Sequence, residues 1–252
     1  MDIARELGIS KSTVSRALSG DTSNVKAETL QKIMKTAHRM GYHRNDLAVH
    51  LRQQRTHNIG IIIPEIITTF YMTFINEVQA ILRKQGYKVM IAISSENPKQ
   101  ERENLLMMEQ LRVDGILMSV CDKDQNVDLY NKVIERGIPI VFFDRTVEGV
   151  QASQVRMDDY IMAFFMVEAL LRKGYKHILH IPGPAYIRNS RERQRGYRDA
   201  LEKFHVAYQA QDILQPALSA EEGSRVMEQY LEKNIPFDAV FGFTETAVLG
   251  AK

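Results

Sequence analysis

The alternation of apolar and polar positions changes character near residue 58. Before it, apolar residues recur every three or four positions, as the buried face of a helix requires. Ile3, Ala4 and Leu7 form one such stripe, Val14, Ala17 and Leu18 a second, and Leu30, Ile33, Met34 and Ala37 a third. Gly8 is placed to stop the first helix, and Ser10 to cap the second, because its hydroxyl can accept from an unpaired N–H of the first turn. The third helix is predicted to run from about Ala27 to Gly41. The following Asn45–Gln54 stretch is too short and polar to hold a helix by itself.

From Asn58 onward the pattern predicts buried parallel strands. Ile59–Ile63, Val89–Ile93, Gly115–Val120 and Ile138–Phe143 are apolar runs without alternation, as expected where both faces of a sheet are covered. Amphipathic stretches of helical length separate them, at about Phe70–Lys84, Gln100–Arg112 and Val127–Arg136, which makes a series of βαβ units. After a link around Arg145–Ser153 a second series begins. It comprises a helix at Tyr160–Lys173, a strand at His177–Ile181, a helix at Arg191–Phe204, a helix from the capping box Ser219…Glu222 to Asn234, and a strand at Ala239–Gly242. The predicted fold is an all-α headpiece followed by two open α/β lobes, with a ligand cleft at the carboxyl ends of the strands. Glu245–Lys252 reads as two turns of a helix with no C-cap. The second lobe shows about three strands where five or six are usual. Met1 leaves no room for an N-cap, so the expectation is a chain cut at both ends, with the second lobe incomplete.

Charge sharpens the division. The 252 residues carry a formal net charge of +2. Residues 1–58 hold ten Lys and Arg against five Asp and Glu, whereas the remainder holds 23 against 26. A basic segment on a larger, mildly acidic body fits a polyanion-binding module; it fits a solvated helix pair as well. With 44% hydrophobic residues, most of the length has enough apolar surface to fold. Cys121 is the only cysteine, which leaves no intramolecular disulfide or Cys-cluster metal site and suits a reducing cytosol. There is no signal-peptide pattern and no apolar run long enough to span a bilayer, so the expected location is the cytoplasm, without a membrane partner.

The spacing Ala4…Gly8…Val14 is that of a helix-turn-helix. A small residue in the first helix lets the second approach, a glycine turns the chain, and a β-branched residue fills the contact. At these residues the chain resembles the lactose/galactose repressor (LacI/GalR) family. The likeness runs through Asp2-Ile3-Ala4…Leu7-Gly8-Ile9-Ser10-Lys11-Ser12-Thr13-Val14-Ser15-Arg16-Ala17-Leu18 and Gly41-Tyr42…Asn45…Leu47-Ala48…Leu51. It continues through Asn58-Ile59-Gly60-Ile61-Ile62-Ile63-Pro64, Val113-Asp114-Gly115-Ile116, Gly137-Ile138-Pro139-Ile140-Val141…Asp144-Arg145 and Arg193…Gly196-Tyr197…Ala200-Leu201.

The resemblance implies a helix-turn-helix headpiece at 1–44, a hinge helix and linker at 45–58, and a periplasmic-binding-protein-like sensor and dimerisation domain at 59–252, with lobe 1 at about 59–150 and a partial lobe 2 at about 151–252. Lys11, Ser12 and Arg16 would read base edges in the major groove, Arg16 by a bidentate contact to guanine. Ser10, Thr13, Ser15 and Asn24 would hold phosphates. The hinge, with Asn45 and Ala48, would order on the operator, and Leu51 would wedge into a minor-groove step. Lys26 stands where many members place a serine cap.

In the sensor, the resemblance assigns Phe70 or Tyr71 to stack on a ligand ring, Asp144 to the cleft, and Asn189 and Arg193 to polar groups of the effector. Thr244-Glu245 replaces the family's usual Asn-Asp pair, and Thr244 is the remaining candidate contact. Read without the family, Arg188, Arg191, Arg193, Arg195 and Arg198 make a solvated helix face.

No GxGxxG, GxxxxGK[ST] or HExxH motif is present, so neither an enzyme nor a cofactor is expected. Cys121 follows a buried strand and reads as a packing residue. Asp158-Asp159 reads as a helix-dipole partner rather than an acid–base pair. The sequence therefore describes a dimeric regulator, a repressor, that binds a near-palindromic operator under control of a small-molecule effector resembling a sugar. The alternatives are a truncated fragment without a working sensor, and a small-molecule binding protein of the same two-lobed fold.

Overall fold

A computed structural model describes residues 2–19, 25–42, 55–66, 68–121 and 125–252. Asn24, Asn45, Ala48 and Leu51, to which the sequence assigns phosphate and minor-groove roles, lie outside the described residues. The chain divides into two compact units, residues 1–55 and 56–252.

The first unit contains helices α1 (Asp2–Glu6), α2 (Lys11–Ser19) and α3 (Ala27–Arg39). Its core is small and made from all three: Ile3 and Ala4, Val14 and Ala17, and Ile33 and Ala37 are buried against one another. Gly8 turns the chain in the left-handed region at φ +62°, and the Ile9 N–H donates back to the Ala4 carbonyl at 3.1 Å. The Ser10 hydroxyl accepts from the Thr13 N–H at 3.1 Å, the cap the sequence predicts. α3 starts at Lys26 with no side-chain cap, so its first turn relies on solvent for its unpaired donors. It ends where Gly41, at φ +59°, lets the Tyr42 N–H reach the Ala37 carbonyl at 2.9 Å. Met34 departs from expectation. It is 52% exposed, because one residue beyond Ile33 is a rotation of about 100° around the helix, which carries it off the buried face.

The second unit opens with β1 (Asn58–Ile63), α4 (Thr69–Lys84), β2 (Lys88–Ile93), α5 (Pro98–Gln110), β3 (Gly115–Met118), α6 (Val127–Glu135), β4 (Ile140–Phe143) and β5 (Ser153–Val155). The strands form one parallel sheet in the order β2-β1-β3-β4-β5. On one face Ile62, Ile116, Met118 and Phe142 pack with Leu105 and Met108 of α5 and with Tyr130 and Val133 of α6. On the other, Ile61, Ile63 and Phe143 pack with Tyr71 and Ile75 of α4. Both faces are covered, which is why these strands read as continuous apolar runs. β5 falls at the end of the stretch read as a link; its three residues are all exposed and give no apolar signal. It is held instead by backbone pairing to β4.

The chain continues with α7 (Asp159–Arg172), β6 (Ile178–Ile181), α8 (Arg188–Lys203), a 3-10 turn at Ala210–Asp212, α9 (Ala220–Leu231), β7 (Ala239–Gly242) and α10 (Glu245–Gly250). Among the described residues the second sheet is the parallel pair β6-β7, extended only by a bridge between His180 and Ile213. The sequence reading of about three strands therefore becomes two and a bridge. α7 and α8 cover one face through Ala163, Val167, Tyr197, Ala200 and Leu201. α9 and Ala247 of α10 cover the other, with Val226, Met227 and Tyr230. Gly196 makes the close crossing of α8 over α7 possible, since a Cβ there would run into the Tyr160 carbonyl. The predicted capping box forms at α9: Ser219 Oγ accepts from the Glu222 N–H at 3.2 Å, and Glu222 accepts from the Ser219 N–H at 3.2 Å. α8 begins three residues earlier than its periodicity indicates, and α9 ends at Leu231 rather than Asn234. Among the described residues, no helix is long and apolar enough to cross a membrane.

Candidate nucleic-acid face and effector cleft

In the first unit, α2 is divided lengthwise by its own sequence. Val14 and Ala17 turn into the three-helix core, while Lys11, Ser12, Ser15 and Arg16 are exposed. A side chain every third or fourth position faces inward, so the remaining positions must share the outer face. Thr13 is half-buried, and its hydroxyl joins those of Ser10 and Ser12 in contacts of 2.8 Å around Ser10. The result is a rigid helix that presents two cations and a row of hydroxyls to solvent. Of the residues the sequence assigns to DNA, the described ones, Ser10, Lys11, Ser12, Thr13, Ser15 and Arg16, belong to this one element and its cap.

In the second unit a cavity of about 480 Å³ opens at the carboxyl ends of the strands. The segment after β1 supplies Glu65, and α4 supplies Phe70, Tyr71 and Phe74. Phe143, Asp144 and Arg145 close β4, Asp159 opens α7, α8 brings Asn189 and Arg193, and the end of β7 brings Phe243 and Thr244. All five sequence-assigned positions that were specified singly or as a pair (Phe70 or Tyr71, Asp144, Asn189, Arg193 and Thr244) therefore line one space.

Asp144 is the centre of the polar network. It sits at φ +56° directly after β4, a left-handed conformation that aspartate tolerates better than most residues. Its Oδ2 accepts from the Tyr71 hydroxyl at 2.8 Å and its Oδ1 from Asn189 Nδ2 at 3.0 Å. The second bond joins the two lobes. Burial raises the Asp144 carboxyl above the usual aspartate range, although both hydrogen bonds and the neighbouring Arg145 and Arg193 pull the other way. Burial also raises the Tyr71 phenol, whose oxygen lies 3.0 Å from Ser119 Oγ as well.

Arg193 is held on three sides. Its Nε and Nη2 each lie 2.8 Å from Asp159 Oδ1, its Nη1 donates to the Phe243 carbonyl at 2.6 Å, and its guanidinium carbon stands 4.8 Å from the centre of the Phe243 ring. Burial raises the Asp159 carboxyl, with Arg193 opposing. Arg145 donates Nη1 to both carboxylate oxygens of Glu96 at 2.9 Å, and burial raises Glu96 despite that partner. Glu65 accepts from the Thr68 N–H at 3.0 Å and from its hydroxyl at 2.6 Å. A further contact, from the Thr69 hydroxyl to the Glu245 carboxylate, joins α4 to α10 across the opening.

The structure separates the two aromatic candidates. Tyr71 is 2% exposed and committed to Asp144 and Ser119, whereas Phe70 is 49% exposed and lines the cleft. Phe74 and Phe143 add a stacked pair with centroids 3.9 Å apart. Thr244 lines the cavity, but its hydroxyl is spent on the fold: it caps α10 by accepting from the Ala247 N–H at 3.2 Å and donates to the Leu218 carbonyl at 3.1 Å. Asp158 caps α7, accepting from the Ile161 N–H at 3.0 Å. Asp159, read from sequence as its companion at the helix dipole, instead turns into the cleft as the partner of Arg193. Glu65, Glu96 and Phe243 carried no sequence signal beyond their positions after apolar runs. Cys121 is buried, and burial raises its thiol well above the ordinary range, as a packing residue requires. Among the described residues there is no cluster of side chains suited to a metal ion.

Residues 1–45 match the family model described as bacterial regulatory proteins, lacI family, and residues 56–252 match that of periplasmic binding proteins and sugar binding domain of LacI family. Catabolite control protein A of Priestia megaterium is 29% identical over 251 residues, covering 99% of this chain and 74% of that protein. Among solved structures, the lac repressor dimer bound to operator and the anti-inducer ONPF superposes with a TM-score of 0.84 at 20% identity, over 99% of this chain and 74% of the other. The Cra transcriptional dual regulator from Pseudomonas putida in complex with fructose 1-phosphate gives 0.69 at 22% identity, over 77% and 72%. At these identities the two structures establish the shared fold.

Proposed function

The chain belongs to the LacI family of bacterial regulatory proteins, and on that premise we propose that it is a sequence-specific transcriptional regulator, a repressor, whose operator binding is controlled by a small molecule in the cleft. The observation that carries the reading is the division of α2. A helix anchored by Val14 and Ala17 holds Lys11, Ser12 and Arg16 on a rigid outer face of the kind that enters a major groove. Lys11, Ser12 and Arg16 read bases, and Ser10, Thr13, Ser15 and Asn24 hold the backbone. The family resemblance assigns Asn45, Ala48 and Leu51 to the minor groove.

The effector enters the cleft between the lobes and stacks on Phe70. There it competes for the polar groups of Asp144, Asn189 and Arg193, beside Thr244. Because the Asn189–Asp144 bond joins the lobes, a ligand that replaces or reinforces it changes their relative orientation. A dimer on a near-palindromic operator is the natural assembly, since protein symmetry mirrors site symmetry. A regulator of this kind works in the cytoplasm, where the DNA is, and needs no catalytic step.

The test is fluorescence anisotropy of the full chain on the DNA upstream of its own gene, against a scrambled duplex of equal length. Sequence-dependent binding that weakens by a factor of about 10³ or more between 50 and 200 mM salt is expected, because phosphate contacts release counterions. Equal affinity for both duplexes, or binding indifferent to salt, would refute the reading.

A further inference from the structure

We propose that the cleft selects an uncharged effector, a polyhydroxyl compound that also carries a flat apolar face, and discriminates against the phosphorylated form of the same compound. The inference rests on the reading of this cleft as the effector site.

The charges around the cavity favour it. Among the described residues, four carboxylates (Glu65, Asp144, Asp159 and Glu245) line the space against three guanidiniums (Arg145, Arg156 and Arg193). Two of those cations are already committed within the wall, Arg145 to both oxygens of Glu96 and Arg193 to Asp159 and the Phe243 carbonyl. Counting also the charges just behind the lining, Glu96 at Arg145 and Arg188 near Asp159, carboxylates outnumber guanidiniums by one. A phosphate dianion would meet that surplus, and to take Arg193 it would have to leave the buried Asp159 without its partner. The third cation, Arg156, is exposed at the rim, where water and salt screen it. Burial raises the Asp144 and Asp159 carboxyls, because a charged group in this space loses hydration, and a bound phosphate would bear the same cost.

Helix N-termini are the other common source of phosphate affinity, and the chain caps two of the four bordering the cleft with its own side chains. Glu65 takes the Thr68 N–H at the start of α4, Asp158 caps α7, and Thr244 caps α10. α4 and α8 both start without a side-chain cap, but the first turn of α8 turns Asn189 onto the Asp144 carboxylate. What remains for a ligand is acceptor-rich and aromatic. Carboxylate oxygens suit hydroxyl donors, and the half-exposed Phe70 beside the stacked Phe74–Phe143 pair suits the face of a sugar or an aromatic ring.

Isothermal titration of the full chain at pH 7.5 with matched pairs tests this: glucose and glucose 6-phosphate, fructose and fructose 1-phosphate, adenosine and AMP, with phenyl β-glucoside as a neutral arylated sugar. At least one uncharged compound is expected to bind, at least tenfold tighter than its phosphorylated partner where it has one. Which compound binds distinguishes a sugar face from an aromatic face. Glu245→Lys, with Glu245→Gln as the milder substitute if the first does not fold, is expected to narrow that gap at least tenfold for lysine and measurably for glutamine. A phosphorylated partner that binds as tightly as its uncharged form overturns the proposal, as does a panel in which no uncharged compound binds. The DNA assay run in parallel separates the two levels. Operator binding that persists beside either result breaks the proposal alone, whereas loss of operator binding breaks the regulator reading beneath it.

Discussion

His180 offers a test of the second lobe's core that depends on a single proton. It is completely buried on β6, packed against the rings of Tyr197 and Phe241, each with its centroid 5.1 Å away. Nδ1 lies 3.0 Å from the Phe241 carbonyl and must carry the hydrogen it donates there, while Nε2 is buried with no hydrogen-bond partner among the described residues. Protonation would place a second N–H where nothing accepts it, so burial lowers the imidazole from 6.5 to about 4, with Arg198 adding repulsion and the Phe241 carbonyl opposing. Between those values the unfolded chain binds a proton that the folded chain refuses. Stability from this group is therefore whole above about pH 6.5 and is lost as pH falls toward 4. At ~1.4 kcal/mol per pH unit across that interval, the loss is about 3 kcal/mol. His180→Phe keeps a ring against Tyr197 and Phe241 and removes the titration. It leaves the Phe241 carbonyl without a donor, a cost of about 1–2 kcal/mol that does not depend on pH. Urea unfolding followed by circular dichroism should find the variant less stable than wild type at pH 7.5. The difference should shift by about 2–3 kcal/mol in the variant's favour at pH 4.5, which leaves the variant as stable as wild type or more stable. Taking the difference cancels the other titrating groups, including the cleft carboxylates, whose raised values act in the opposite direction. Parallel stability–pH curves for the two proteins would refute the argument.

The other predictions address the DNA face, a helix crossing and a buried carboxylate. Arg16→Ala should cost about 1–3 kcal/mol of operator binding by anisotropy and relax discrimination at one base pair, with effector titrations unchanged. Gly196→Ala drives a methyl group into the Tyr160 carbonyl and should destabilise the second unit by about 1–3 kcal/mol in thermal melts, with the first unit unaffected. Glu101 is fully buried and accepts from the Cys121 N–H at 2.7 Å, Asn126 Nδ2 at 2.7 Å and the Tyr130 hydroxyl at 2.5 Å. Glu101→Leu leaves the Cys121 N–H and the Tyr130 hydroxyl unpaired and Asn126 Nδ2 with the Pro98 carbonyl alone, and should cost about 3 kcal/mol or more in urea unfolding, whereas Glu101→Gln, which keeps one acceptor, should cost less.

The elements that were legible in the sequence are those fixed by local rules. Gly8, Ser10 and the Ser219–Glu222 box mark helix ends because each satisfies or turns away an orphan backbone group within three residues of itself. β1, β3 and β4 are legible because burial on both faces leaves no polar position in them after Asn58, the first residue of β1. β5 is the counterexample. Its side chains face solvent and its place is set by hydrogen bonds to β4, whose paired residues lie twelve positions earlier, so nothing in Ser153–Val155 itself announces a strand. Met34 fails for a related reason: it is as apolar as Ile33, and only the angular position on α3 decides which of the two is buried.

The cleft divides along the same line. Asn189 and Arg193 could be picked out through family motifs, and the fold does place them in one cavity with Asp144. Their partners could not be read, because each is set by the meeting of distant segments. Asp159 faces Arg193 across 34 residues of sequence and Glu96 faces Arg145 across 49. This bears directly on ligand chemistry. From sequence, the run of five arginines reads as a solvated helix face, with Arg193 alone assigned to an effector resembling a sugar. Once Asp159 and the Phe243 carbonyl hold Arg193, and Glu96 holds Arg145, those guanidiniums become structural counterions. The charge that sets effector choice is then the surplus of carboxylates, a property of the assembled cleft that no segment of the chain displays by itself.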